Sequence, residues 1–353
     1  MKQKRGALSR MARLVFAAHD PGGALMIAAA SGSILSAGHK ISYIGAGAAA
    51  EIWRRAGHEV LEVGSDDRIC EIIRGPCDAL ITGTGFGDFE RNCWLWARSI
   101  SCPAMAVIDA WTGFESRFEG PDGFLFPDII GVIDNEMAFQ LSQLIDPKTH
   151  IVEIGQSHLR VQTQKLMEQR PKKRDSQKKP TWVFFSEPIL QDFGPIQRGF
   201  DQFKILEGLV AVLKNGFSLN LVVKPHPREC SEHWLKYCQK PHISNAVYMR
   251  YSEKPAEKLL LEADAVIGMT TMVLLEAYLL RIPIVSVQIG RKSIFNPLIE
   301  EITEPVLGAT DLKNNLRALI GTTHENSQIS PRFQALLDGG DQHFVEAIES
   351  LTQ

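Results

Sequence analysis

Leu219-Asn220-Leu221-Val222-Val223-Lys224-Pro225-His226-Pro227-Arg228-Glu229 is the stretch from which the rest of the chain can be read. An apolar run breaks abruptly into a polar, proline-bracketed loop. The pattern then recurs. Ala265 to Ile267 breaks into Gly268-Met269-Thr270-Thr271, and an apolar helical spacing carries Glu276. Each half reads as a buried strand whose carboxyl end opens into a loop, and in doubly wound sheets the ligand crevice lies outside those ends. His226 and the pair Thr270/Thr271 are therefore expected at one crevice. The prolines stiffen the turn that carries the imidazole, and Gly268 permits a tight exit from its strand. The threonines fall at a helix start, where a hydroxyl caps and free N–H groups face outward.

That combination predicts a phosphate-bearing ligand. One helix end contributes only about 0.3–1 kcal/mol toward an anion. A charge-assisted hydrogen bond from His226 or Arg228 adds about 1.5–3 kcal/mol. A nucleotide thus needs several groups converging, with Lys224 and Arg228 supplying charge beside a cationic His226 that offsets charge on a leaving phosphate. Glu187, at the first strand end of this half, is expected either to contact the donor or to fix its own loop.

The same alternation extends in both directions. Leu14–Ala18, Ile41–Ile44, Val60–Val63, Ala79–Ile81, Ala104–Ile108, Ile129–Ile133 and Ile151–Ile154 read as strands with helices between them. Trp182–Phe185, Leu219–Val223, Ala265–Ile267 and Ile284–Val287 repeat the arrangement, and amphipathic helix follows from about Asp311. Strand–helix alternation of this kind makes parallel sheets. The expected architecture is α/β, with two Rossmann-like domains facing a cleft and C-terminal helices. The expected boundaries are a basic tail at 1–13, an acceptor domain at 14–156, a linker at 157–180 and a nucleotide-donor domain at 181–353.

With 353 residues, 44% hydrophobic and 22% charged, two ordinary globular domains are expected. A net charge of −3 argues against a nucleic-acid partner. No run approaches the ~20 apolar residues of a membrane span. Cysteines occur without a C-x-x-C; Cys230, His233 and Cys238 match no common zinc spacing, so no metal is expected and a cytoplasmic location is. Arg170 to Pro180, RPKKRDSQKKP, reads as a solvated linker, with peripheral contact to anionic lipid at the inner membrane face as its functional alternative.

Lys224-Pro225-His226-Pro227 followed by Gly268-Met269-Thr270-Thr271-Met272 and Glu276-Ala277 resembles the HP and Ser/Thr motifs of capsule-type GT-B transferases. That group includes sialyl- and polysialyltransferases and CDP-glycerol glycerophosphotransferases; UDP-GlcNAc 2-epimerases carry a related arrangement. The resemblance implies that His226, Thr270 and Thr271 hold a donor phosphate and that Glu276 contacts a ribose. It also implies metal-independent transfer of a sugar or polyol phosphate to a glycan or lipid-linked acceptor. No cofactor is needed, because the nucleotide-activated sugar is itself the substrate. CMP- or CDP-linked donors are suggested, with UDP-sugars open. Two other readings stand beside it: a UDP-GlcNAc 2-epimerase-type enzyme, and a non-catalytic nucleotide-sugar-binding protein.

A transferase also needs a base, worth about 10²–10⁴-fold. The short acidic motif of those families has no clean match here. The candidates lie at strand ends of the first half: His19 and Asp20 before the glycine turn Gly22-Gly23, Asp88 after the run Gly83 to Gly87, and Asp109 with Trp111, Glu115 and Arg117 behind it. Asp20 and Asp109 are favoured. Gly22 and Gly23 let the backbone approach a ligand closely.

Overall fold

The computed structural model describes residues 11–64, 72–73, 76–85, 87–171, 178–238, 247–320 and 328–353. Most of the expected basic tail, the centre of the 170–180 segment, Cys70 and Phe86 lie outside the described residues. The chain forms two compact units, Met1–Gln162 with Ala335–Gln353, and Thr163–Gln334.

In unit 1 the strands are β1 (Arg13–Ala18), β2 (Lys40–Gly45), β3 (Val60–Glu62), β4 (Ala79–Thr82), β5 (Ala104–Val107), β6 (Ile129–Val132) and β7 (His150–Glu153). They pair in parallel in the order β3-β2-β1-β4-β5-β6-β7. Helices α1 (Pro21–Ser36), α2 (Gly47–Arg55), α3 (Asp88–Ser99) and α4 (Asn135–Ser142) make the connections. Strands β4 and β5 are buried at every residue, as expected where helices cover both faces of a parallel sheet. Strand β1 begins one residue earlier than the sequence reading places it. Arg13 already pairs in β1 and forms an ion pair with Asp78, because the Asp78 carboxylate also takes the Arg13 backbone N–H.

Unit 2 repeats the design. Its strands are β8 (Thr181–Phe185), β9 (Leu219–Lys224), β10 (Val247–Tyr251), β11 (Ala265–Gly268) and β12 (Ile284–Ser286), in the order β10-β9-β8-β11-β12. Period-2 alternation divides the core between the two faces. Trp182, Phe184, Leu221 and Val223 pack with Leu206, Leu209 and Leu213. Val183, Phe185, Val222 and Val266 pack with Leu259, Leu260, Leu274 and Ala277. The sequence reading passes over β10, whose residues are mostly half-exposed and whose pattern VYMRY is too mixed to stand out.

The segment expected as a linker is helical over its first part, α5 (Ser157–Gln169), and this helix spans the division between the units. The C-terminal boundary also differs from the sequence reading. Ala335–Gln353 groups with unit 1 rather than closing unit 2. Asp341, buried just before the last helix (Gln342–Leu351), supplies the reason. It accepts hydrogen bonds from Ser33 Oγ at 2.8 Å, Ser157 Oγ at 2.6 Å and Arg160 Nη2 at 2.7 Å. Removing one partner of a buried ion pair leaves the other charge uncompensated. Asp341→Ala is expected to lower unfolding free energy by about 2–4 kcal/mol, read by urea denaturation. Asp341→Asn, which keeps one acceptor oxygen, should lose less.

Candidate functional site

In both sheets the strand order reverses at one point, between β1 and β4 in unit 1 and between β8 and β11 in unit 2. The crevice of a doubly wound sheet forms at that reversal. The predicted site residues fall at or beside these two edges.

In unit 2, β8 lies between β9 and β11, so Glu187 stands between His226 and Thr270 in the strand order. The Glu187 carboxylate accepts from Thr270 N–H at 2.6 Å and from Thr270 Oγ at 2.7 Å. The donors expected for a phosphate are thus already committed to an internal anion. Of the two alternatives for Glu187, the loop-fixing one is what its contacts describe. Desolvation pushes its pKa up, and the hydrogen bonds from Thr270 partly offset that. The next helix, α6 (Val273–Leu279), begins later than expected, with Met272 at its N-cap position, and Thr271 Oγ accepts from Val273 N–H at 3.3 Å. A side chain at Gly268 would meet Thr271 Cγ2 at 2.8 Å, so glycine leaves room for this turn to fold back.

The His226 loop is organised by a residue to which the sequence reading assigns no role. Glu229 is buried and accepts from His226 N–H at 2.7 Å, Ser186 Oγ at 3.1 Å, Gln202 Nε2 at 3.0 Å and Trp234 Nε1 at 3.1 Å. A carboxylate three residues after the histidine, closing its turn through Glu229 N–H to His226 C=O at 2.9 Å, is the signal that could have found it. Arg228 N–H donates to His226 Nδ1 at 3.1 Å. Nδ1 is thus an acceptor, which makes the ring neutral with its proton on Nε2. Burial, with Arg228 and Lys224 nearby, lowers the His226 pKa. The expected cationic histidine is instead a neutral N–H donor.

Arg228 also departs from expectation. Its guanidinium is paired bidentately with Asp192, at 2.8 and 2.7 Å, a geometry that fixes it as a strut. Lys224, the last residue of β9, has no acidic partner among the described residues. Glu276 is half-buried on α6, and desolvation together with the Glu257 carboxylate pushes its pKa up to about 7.

In unit 1 the loops after β1 and β4 touch. A Cβ on Gly23 would come within 2.7 Å of Gly83 Cα, and one on Gly22 would overlap Asp109 Oδ2 at 1.7 Å. Both glycines are therefore required by space. Asp109 Oδ1 accepts from Arg117 Nη1 at 2.7 Å, and the buried guanidinium also donates to Thr84 O and Thr84 Oγ, each at 2.8 Å. His19 Nδ1 and Asp20 Oδ1 are 2.7 Å apart. Glu90, buried on α3, accepts from His19 N–H at 2.9 Å, and desolvation raises its pKa. A Cβ on Gly85 would meet the Asp20 and Glu90 carboxylates at 3.0 Å each, so these two acids flank one glycine. Asp20 precedes α1 but makes no side-chain cap to it. Asp88 lies in the first turn of α3, where a carboxylate complements the helix dipole. Trp111 is held by Asp134, Nε1 to Oδ2 at 2.7 Å. Among the described residues no group of His, Cys, Asp and Glu is placed to hold a metal ion, and no helix is long and apolar enough to cross a membrane.

No protein-family model matches the chain, and no curated protein matches it. Solved structures do. A glycosyltransferase of kitacinnamycin shares 13% identity at a TM-score of 0.62, covering 98% of this chain and 100% of that one. UDP-GlcNAc 2-epimerase from Neisseria meningitidis, bound to UDP-GlcNAc, shares 11% identity at a TM-score of 0.66, covering 96% and 99%. MurG from Acinetobacter baumannii shares 11% at a TM-score of 0.53, covering 96% and 99%. At such identities the likeness is one of fold. The chain has a GT-B-like α/β fold with two parallel sheets and C-terminal helices.

Glu276 yields a pH test. Its folded pKa stands above its ordinary value of 4.5, so its contribution to stability is fully present below that value and is lost as pH rises through about 7. Relative to wild type, Glu276→Gln should be more stable at pH 8 by about 1–2 kcal/mol. That difference should shrink as pH falls through about 7 and vanish only below 4.5, as read from denaturation midpoints across pH.

Proposed function

We propose that this protein is a nucleotide-sugar-dependent enzyme, a glycosyltransferase-like catalyst that moves a sugar or polyol phosphate from a nucleotide-activated donor to a glycan or lipid-linked acceptor. The observation that carries this reading is the His226 loop. Glu229 and Arg228 fix the backbone and Nδ1, which leaves Nε2–H as a preset donor beside the uncommitted Lys224 ammonium. A neutral donor and a flexible cation at the carboxyl edge of a parallel sheet suit the diphosphate of a nucleotide sugar. Glu187 and Thr270 hold the neighbouring loop rigid, and Glu276, with its raised pKa, is a candidate acceptor for ribose hydroxyls.

Unit 1 is assigned the acceptor. There the pairing of Asp20 with His19 Nδ1 supports His19 Nε2 as the proton-accepting atom and Asp20 as the group that orients the ring. Asp109, tied to Arg117 and seated over Gly22, is read as a group that shapes the acceptor loop or hydrogen-bonds its hydroxyls.

The first experiment is a binding panel of CMP-, CDP-, UDP- and GDP-sugars followed by thermal shift and calorimetry. One class should stabilise the protein, and His226→Ala should weaken that ligand about tenfold or more. With Nδ1 occupied by Arg228 N–H the ring binds as the neutral donor, so affinity for a nucleotide sugar, whose diphosphodiester does not itself titrate near neutrality, should stay flat between about pH 6 and 8. Unchanged affinity in His226→Ala would remove the donor assignment. His19→Ala should lower turnover about 10²–10⁴-fold with donor binding intact. Conversion of UDP-GlcNAc alone, with no acceptor, would replace the transferase reading with the epimerase one.

A further inference from the structure

We propose that Cys77 and Cys102 are a redox modification site, closing to a reversible disulfide that staples β4 to β5. The two thiols sit at the opposite edge of the unit 1 sheet from the candidate site, where the strands begin. Leu80 pairs with Ala104 across the parallel ladder, which places the residues just before them side by side. Cys77 Sγ and Cys102 Sγ are 3.3 Å apart, in hydrogen-bond contact, and Cys77 Sγ also reaches Ala79 C=O at 3.2 Å.

Closing the pair brings the sulfurs from 3.3 Å to the ~2.05 Å of a disulfide bond. Cys77 lines a cavity of about 280 Å³ together with Asp78, Ser101, Pro103 and the C-terminal residues Leu351 to Gln353, so a small oxidant reaches the pair past Cys77. Cys77 is half-buried and Cys102 buried, so a small oxidant suits the pair better than a protein thiol. The electrostatics agree with this geometry. A hydrogen bond with Cys77 lowers the Cys102 pKa, while Cys77 is held up by the same bond and by burial. Of the two, Cys102 is therefore the thiol that ionises more readily.

With hydrogen peroxide as oxidant the steps balance. The Cys102 thiolate attacks one peroxide oxygen, the O–O bond breaks, and hydroxide leaves and takes up a proton to become water. Cys102 is now a sulfenic acid. The Cys77 thiol, losing its proton, attacks that sulfur; the S–S bond forms, the S–O bond breaks, and a second water leaves. Two thiols lose two electrons in all, and one peroxide is reduced to two waters. The bond encloses α3, and the strands it ties carry Thr84 and Asp109 beyond their far ends, so the staple stiffens the frame without touching those residues.

The full-length protein is treated with graded hydrogen peroxide, alkylated, and mapped by non-reducing digestion and mass spectrometry. Exposed Cys230 reports how far the reagent has acted generally. The expected result is a Cys77–Cys102 cross-linked peptide that forms while Cys230 is still alkylatable and disappears on adding dithiothreitol. The oxidised protein should melt several degrees higher than the reduced form. Cys77→Ser should trap a sulfenic acid at Cys102 that a dimedone probe labels. Separate alkylation of Cys77 and Cys102 after Cys230 has oxidised would overturn the proposal, and this readout needs only the wild-type chain.

Discussion

Two sheets of parallel strands, each covered on both faces, leave this chain one kind of place for polar chemistry. The strand interiors are apolar on both sides, and every backbone group there is needed by the ladder. Polar side chains therefore collect where strands end, and the reversal of strand order opens a gap between adjacent loops. In unit 1 the gap is narrow enough that Gly23 and Gly83 meet almost backbone to backbone. In unit 2 it is bridged by the carboxylate of Glu187. The remaining site geometry follows from these two crossings.

Buried carboxylates do the organising. Glu229 collects four donors from a strand end, two helices and its own loop, and Glu187 takes both donors of Thr270. Asp341 does the same for the C-terminal helix, and Glu90 for the backbone of His19. A buried charge is tolerable only when its lone pairs are satisfied, so each of these acids dictates where several neighbours must be. Beside these acids, at the described strand ends, stand an imidazole N–H and a lysine in unit 2, and an imidazole paired with a carboxylate in unit 1.

The fold itself does not choose among chemistries. Structures named as glycosyltransferases, as MurG and as a UDP-GlcNAc 2-epimerase superpose on nearly the whole chain at similar scores, and one scaffold commonly hosts several reactions. The choice lies in side chains at loop tips. In this chain those tips carry His19 with Asp20 and His226 with Lys224, the groups on which the proposed function rests.

Read by itself, the sequence determined the alternation of strands and helices, the two parallel sheets and the loops at which His19, Asp20, Asp109, His226 and Thr270 would lie. Period-2 and helical apolar spacing is a local property, and strand-end loops are marked by glycine and proline. Which polar groups would be spent on one another was decided by tertiary structure alone. The pairing of Glu187 with Thr270 spans two strands adjacent only through a crossover, and the pairing of Arg228 with Asp192 joins a loop to the short helix Ile189–Phe193. Those contacts turned a predicted cationic histidine into a neutral donor and a predicted phosphate-binding arginine into a strut. They also assigned the last helix to the first sheet, because Asp341 finds its donors on residues distant in sequence. The physical reason is the same in each case: a buried charge is satisfied by whatever donors the fold brings near it, and sequence separation carries no record of that distance.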